Sequence, residues 1–274
     1  MSPTPTILPQ APFPPAQYFP CSCQEEALAR LEYLVEHGRQ FGVLTGPSGS
    51  GKSRLLRHFG SHVTGPGRRV IATSLQGVSA GEFTWRLCGQ LDLHLSADEP
   101  VFALWDALGK RIQEVGIEGD DIVLLLDDVN GATDESASLV ARLAGSEVPA
   151  SQQLTVIAAT SIEHAASAGT FCERADLSIE IEPWEVEDIA GYIDFAIAVT
   201  GSDPDIFTDA ALLKIYELSA GNIRHVDQLG NLALATAVAG QLASIDEAVV
   251  ALAAEELGLP QLVTAERPSL RSSE

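Results

Sequence analysis

The chain has 274 residues, 46% of them hydrophobic and 20% charged, with 16 Lys and Arg against 38 Asp and Glu for a net charge of −22. That composition excludes a disordered or collagen-like chain and leaves one large domain or two smaller ones with a buried core. The acidic balance argues against nucleic acid as a partner, because a grip on its backbone rests on Lys and Arg neutralising phosphates.

In chain order, residues 1–20 read as a proline-rich arm, with six prolines between Pro3 and Pro15 and Tyr18-Phe19 at its end. It lacks the basic region and apolar core of a signal peptide, and no apolar run in the chain approaches the roughly 18 residues of a membrane span. A soluble, cytoplasmic chain with no membrane span is expected. Tyr18 and Phe19 either pack on a bound aromatic base or pin the arm to the core. Cys21-Ser22-Cys23 has no partner pair at metal spacing, and with Cys88 and Cys172 it makes too few and too scattered cysteines for a disulfide framework. All four read as ordinary thiols. Ser22 is expected to cap a helix from Gln24 to His37, with Glu25 completing a capping box, Leu28, Leu31, Leu34 and Val35 at helical spacing, and Gly38 as the stop.

Next comes F-G-V-L-T-G-P-S-G-S-G-K-S, Phe41 to Ser53. A short apolar strand enters a glycine-rich loop and a helix opens at Lys52. The loop Gly46-Pro47-Ser48-Gly49-Ser50-Gly51-Lys52-Ser53 meets every fixed position of G-x-x-x-x-G-K-[ST]. Glycines let backbone N–H groups turn inward, and the following helix offers unpaired N–H donors and a positive dipole end to an anion. Lys52 is expected to reach the β- and γ-phosphates and Ser53 to ligate Mg²⁺. These eight residues and Arg54 form the expected nucleotide-binding set. From His37 to Gly81 six basic residues (Arg39, Lys52, Arg54, Arg57, Arg68, Arg69) meet no acidic one, so a polyanion is favoured there.

Arg69 to Leu75 reads as a second strand, followed by helices near Ala80–Leu91 and Pro100–Val115, whose Trp85 and Trp105 are assigned to the core. Ile122-Val123-Leu124-Leu125-Leu126-Asp127-Asp128 is a continuous apolar run of the kind found in a central parallel strand, and two carboxylates end it. Asp127 is assigned to the metal and Asp128 to the attacking water. After a helix from Asp134 to Leu143, a fourth strand from Gln153 to Ala159 ends in Thr160-Ser161. Their hydroxyls either sense the γ-phosphate or simply begin a loop. Leu177 to Ile181 makes a fifth strand, with Glu173-Arg174 before it.

Pro183-Trp184 marks a boundary, and beyond it only helices are expected, at Glu185–Val199, Asp209–Ser219, Asn222–Ala239 and Ile245–Glu256. From Ala175 to the end 18 acidic residues face 4 basic ones, so Arg224, in Ala220-Gly221-Asn222-Ile223-Arg224, stands out. The expected domains are an α/β domain over 21–183, a small all-helical lid over 184–258 and a flexible tail over 259–274.

Phosphate loop, Asp127-Asp128, Thr160-Ser161 and a helical lid bearing Gly221-Asn222-Ile223-Arg224 together resemble an AAA+ P-loop ATPase. Tyr18-Phe19 through Ala27-Leu28-Ala29-Arg30-Leu31, Ile206 to Leu212 and Leu218 to Arg224 are similar to the general secretion pathway protein A (ExeA-type) branch. The resemblance covers about Pro14 to Leu257 and implies a three-layer α/β fold with a parallel sheet, a helical lid, and ATP and Mg²⁺ as ligands. It implies that Thr160 or Ser161 is the first sensor and Arg224 the second. Arg174 is then either an arginine finger acting on a neighbouring subunit or a surface arginine. Asp128 stands where the family usually has Glu, one methylene longer, so hydrolysis is expected to be slow. Membrane-spanning relatives carry a transmembrane helix and a cell-wall-binding domain after the ATPase; the sequence holds neither, and no membrane role is expected.

The expected function is Mg²⁺-dependent ATP hydrolysis coupled to lid movement and to assembly with a protein partner, in a homo-oligomer. Two alternatives stand beside it. One is a slowly hydrolysing nucleotide-operated switch, motivated by Asp128. The other is a DNA-associated assembly ATPase of the transposition and initiation type, which the net charge opposes.

Overall fold

The computed structural model describes residues 17–145, 154–164, 171–200 and 204–259. Most of the expected arm and tail therefore lies outside the described residues. The chain divides into two compact units. Of the described residues, an α/β unit holds 24–48, 52–145, 154–164 and 171–181, and a helical unit holds 17–23, 49–51, 182–200 and 204–259.

The α/β unit is built on five parallel strands: β1 (Phe41–Thr45), β2 (Arg68–Ser74), β3 (Asp121–Asp127), β4 (Leu154–Ala159) and β5 (Leu177–Glu180). Their order across the sheet is β2-β3-β4-β1-β5. The three central strands are the continuous apolar runs, and β1 and β4 are buried at every residue, as strands covered on both faces must be. The edge strands β2 and β5 mix buried with exposed positions. Helices α1 (Ser22–Glu36), α2 (Lys52–Val63), α3 (Ala80–Gln90), α4 (Val101–Glu118) and α5 (Asp134–Ala144) supply the outer layers. Phe83 and Leu87 of α3 and Leu139, Val140 and Leu143 of α5 close one core with Val43, Leu124, Leu126 and Val156 of the sheet. On β1 the small residue has a steric reason, since a Cβ on Gly42 would meet the Leu34 side chain of α1.

The helical unit comprises α6 (Val186–Thr200), α7 (Asp209–Ser219), α8 (Ile223–Gly240) and α9 (Glu247–Leu257). Trp184, Tyr192, Ile193, Leu229, Ala233 and Val250 are at its centre. Side-chain oxygens of Thr208, Asn222 and Asp246 cap α7, α8 and α9 by accepting backbone N–H bonds in the first turn. Phe19 belongs to this core, with ring centroids 6.0 Å from Trp184, 5.7 Å from Tyr192 and 5.5 Å from Phe195. Of the two readings of the aromatic pair, pinning of the arm is the one Phe19 displays. Each such ring pair contributes about 1 kcal/mol beyond its area burial.

Several expectations change. Helix α1 starts at Ser22, so Ser22 is its first residue rather than its cap, and the hydroxyl donates to Asp188 (3.4 Å). Ile245 bridges to Phe207 instead of opening α9, a task that falls to Asp246. Trp85 is 40% exposed, its indole N–H held by the Leu95 carbonyl (2.9 Å), because its position on α3 faces the 92–95 loop rather than the sheet. Trp105, by contrast, packs half-buried against the core as expected, with the Arg142 guanidinium 4.3 Å from its ring centre, a cation–π arrangement.

Candidate functional site

Parallel pairing brings three strand ends to one edge of the sheet. Leu44 of β1 pairs with Ala159 of β4, and Ala158 of β4 pairs with Leu126 of β3. With about 4.8 Å between neighbouring strands, the loop leaving β1 and the carboxylate ending β3 are roughly 10 Å apart, and Thr160-Ser161 leaves β4 between them. This is the crevice at the carboxyl ends of parallel strands where open α/β sheets take ligands.

The phosphate loop needs its glycines, since Gly49 (φ 83°) and Gly51 (φ 96°) occupy backbone conformations that L side chains rarely adopt. Lys52 is buried at the first turn of α2, and its ammonium donates to the Gly46 carbonyl (2.9 Å) and the Pro47 carbonyl (2.7 Å). Ser53 is exposed at the second residue of α2, and Arg54 is half-buried beside it. Ser50 is buried, and its hydroxyl has no hydrogen-bond partner among the described residues. Within the helical unit, the Gly49 carbonyl accepts the backbone N–H of Arg224 (3.3 Å), and a Cβ on Gly49 would collide with the Asn222 side chain. Arg224 is exposed in the first turn of α8, where Asn222 Oδ1 also accepts its N–H (3.1 Å).

Asp127 is the last residue of β3 and half-buried. Asp128 does not continue the strand as expected. It turns into the left-handed region (φ 51°, ψ 43°), a conformation Asp tolerates better than most residues, and begins the short turn Val129–Gly131. Its exposed side chain is therefore released from the alternation of the strand. Thr160 is 1% exposed and its hydroxyl has no hydrogen-bond partner among the described residues, while its N–H is bound by the Leu44 carbonyl (3.0 Å). Ser161, also buried, donates its N–H to Asn130 Oδ1 (3.3 Å). Arg174 is exposed and lies along the end of α5, Nη2 donating to the Ala141 carbonyl (3.4 Å).

Two residues at this edge escaped the sequence reading. Asn130 holds Ser161, and Glu163 Oε1 accepts the N–H of Ser48 in the phosphate loop (2.8 Å). Neither belongs to a recognisable spacing; Asn130 reads as a turn residue and Glu163 as a loop acid. The basic window also divides. Arg68 and Arg69 pair in register with Asp121 and Ile122 at the amino end of β3, six residues and about 20 Å from Asp127. Arg69 is taken up there by Asp92 (3.1 Å), Asp120 (3.2 Å) and Glu118 (3.4 Å). These two arginines therefore do not serve the loop, and the expected concentration of positive charge is smaller than the sequence implies.

The donor set fits a hard divalent cation beside a phosphate chain. Ser53 offers a hydroxyl and Asp127 a carboxylate, the oxygen ligands Mg²⁺ takes, and the Thr160 hydroxyl is a buried polar group at the same end of the sheet that no described residue satisfies.

A parallel sheet in the order β2-β3-β4-β1-β5 with a phosphate loop directly after β1 defines the P-loop fold of the AAA+ class. A family model described as "AAA ATPase domain" matches residues 20–157, half of the chain, and the chain belongs to that family. It is 25% identical over 248 residues to the General secretion pathway protein A of Aeromonas hydrophila, covering 85% of this chain and 43% of that one. The chain thus spans less than half the length of that curated relative. Among solved structures it resembles the Aeropyrum pernix ORC2 protein in ADPNP–ADP complexes (TM-score 0.65, 13% identity, 85% of this chain and 66% of that one). It also resembles the Thermotoga maritima RuvB Holliday junction branch migration motor (TM-score 0.57, 16% identity, 86% and 68%). The Aeropyrum pernix ORC1 protein in complex with DNA matches with a TM-score of 0.63 at 14% identity over 92% of this chain and 66% of that one. At such identities the likeness is one of fold. Among the described residues, no helix is long and apolar enough to cross a membrane.

Proposed function

We propose that the chain is a Mg²⁺-dependent ATPase that couples its nucleotide state to movement of the helical unit and to assembly with further copies and a protein partner. The observation that carries this reading is Thr160. Its buried hydroxyl, without a hydrogen-bond partner among the described residues, directly follows β4, the strand between the phosphate loop and Asp127, where a γ-phosphate oxygen would satisfy it. In this reading the loop N–H groups and Lys52 hold the β- and γ-phosphates, the ammonium exchanging its bonds to Gly46 and Pro47 for phosphate oxygens. Ser53 and Asp127 hold the metal, which when bound neutralises charge on the phosphate chain. Asp128 orients the attacking water and accepts its proton, and Thr160 or Ser161 reports the γ-phosphate. Arg224 is assigned to the second sensor and Arg174 to a neighbouring subunit's site on the family resemblance.

The test is steady-state phosphate release from ATP and Mg²⁺ over a wide range of protein concentration. Specific activity that rises with concentration supports a site completed between subunits; constant activity places catalysis within one chain; no release from a protein that still binds ATP removes the ATPase. The last outcome is the one expected of a nucleotide-operated switch. The left-handed backbone of Asp128 favours that second reading, because it takes the shorter carboxylate off the strand. A DNA-associated assembly role is opposed by the net charge of −22, and salt-sensitive DNA binding would revive it.

A further inference from the structure

The phosphate loop meets a protein anion. Ile162–His164 is a short turn directly after Ser161, and it is tied to the loop in two senses. The Gly46 carbonyl accepts the N–H of Ile162 (3.3 Å), and the N–H of Ser48 is accepted by Glu163 Oε1 (2.8 Å). The first bond fastens the turn to the loop without using any side chain. The second occupies a loop N–H with a full negative charge, where a neutral Gln would supply the same acceptor. The carboxyl of Glu163 is held below its ordinary range first by the Ser48 N–H, then by its own backbone N–H, with Ser161 and the charge of Lys52 assisting against the small cost of burial. Glu163 is exposed, so packing does not dictate its identity.

We propose that Glu163 is a charge gate on the phosphate loop, a carboxylate that sets the loop's preference among nucleotides by repelling the most highly charged phosphate chain. The proposal rests on the nucleotide reading above. Glu163 sits on the Thr160-Ser161 side of the loop, the side toward β4 and the acidic end of β3. A third phosphate extending that way adds negative charge beside an existing one, whereas a chain that stops at two phosphates adds less. The gate thus weakens ATP more than ADP when nothing else neutralises the γ-phosphate, and it makes firm ATP binding depend on a metal ion.

The experiment is titration of ATP and ADP, each with Mg²⁺ and with a chelator in its place, on wild type, Glu163→Gln and Glu163→Asp, with thermal unfolding as the check on folding. Glu163→Gln keeps the acceptor for Ser48 and removes the charge. It is expected to tighten metal-free ATP about fivefold or more, on the scale of one unit charge in a partly hydrated site, and ADP by clearly less. Glu163→Asp, which keeps the charge, is expected to keep the wild-type ratio of ATP to ADP affinity. Unchanged or weaker ATP binding by Glu163→Gln overturns the gate, as does a parallel change in ATP and ADP, which would make Glu163 an anchor for Ser48. If wild type binds ATP and Glu163→Gln binds it equally, only the gate fails. If no folded variant binds any nucleotide, the nucleotide reading fails with it.

Discussion

The backbone N–H of Asp128 donates to Oδ1 of its neighbour Asp127 at 3.0 Å, so the last strand carboxylate holds the backbone of the next one. The two carboxylates are thereby placed differently. Asp127 is fixed by the strand, and Asp128 is presented from a left-handed residue whose direction the strand does not set. Asp128→Asn keeps a residue that tolerates this backbone and removes the charge. It is expected to leave ATP affinity and melting temperature within error while lowering phosphate release by a factor of order 10² or more, the contribution of a general base. Asp128→Glu restores the longer carboxylate and is expected to raise turnover. Full activity of Asp128→Asn would remove Asp128 from the chemistry.

Lys52 is buried with its ammonium on two loop carbonyls, so its removal acts on loop and ligand together. Lys52→Ala leaves those carbonyls without this donor, though Gly46 retains the N–H of Ile162. The fold is expected to lose about 1 kcal/mol, a typical net hydrogen-bond value. The upward shift of melting temperature that saturating ATP gives the wild type should disappear, since that shift measures binding to the native state alone. A variant still stabilised by ATP to the wild-type extent would separate Lys52 from the phosphates.

Arg69 tests which part of the basic window matters. It joins Asp92, Asp120 and Glu118, and Arg111 shares Glu118 (3.1 Å), in a network at the amino ends of β2 and β3. Arg69→Met takes this partner from Asp92 and Asp120, while Glu118 keeps Arg111. The expected cost is roughly 1 kcal/mol at low salt, shrinking as salt screens these charges. ATP affinity should stay within twofold. A large loss of ATP binding would mean that charge from this end of the sheet reaches the loop after all.

The sequence carried the strand and helix identities because its signals there are local. Apolar runs of five to seven residues, glycine stops and N-cap residues act within a few positions, and four of five strands fall within two residues of expectation at both ends, with β4's first expected residue, Gln153, outside the described residues. The loop was legible for the same reason, being one contiguous segment. What was not legible depends on register and long-range approach. Glu163 meets Ser48 across 115 positions because β4 pairs beside β1, and Arg69 meets Asp120 because β2 pairs with β3. Trp85 has the size of a core residue, yet its place on the helix, not its hydrophobicity, decides that it faces the 92–95 loop.

Gly221 shows how a residue of the family segment is fixed by backbone contact. Its carbonyl accepts the N–H of Trp184 (3.0 Å), its φ is 74°, and a Cβ there would stand 2.5 Å from the Trp184 carbonyl oxygen and 2.7 Å from its nitrogen. Both atoms are main chain at the start of the helical unit, so neither can yield by a rotamer change. Gly221→Ala therefore combines a left-handed strain of roughly 1–2 kcal/mol with a steric clash, and an overall loss of about 3 kcal/mol is expected in urea unfolding. Gly258→Ala supplies the control. Its φ is 64° but nothing lies within 4 Å of an added Cβ, so only the same strain of roughly 1–2 kcal/mol should appear. Equal losses at the two sites would show that conformation alone selects glycine at 221; a markedly larger loss at Gly221 assigns the excess to its seat against Trp184.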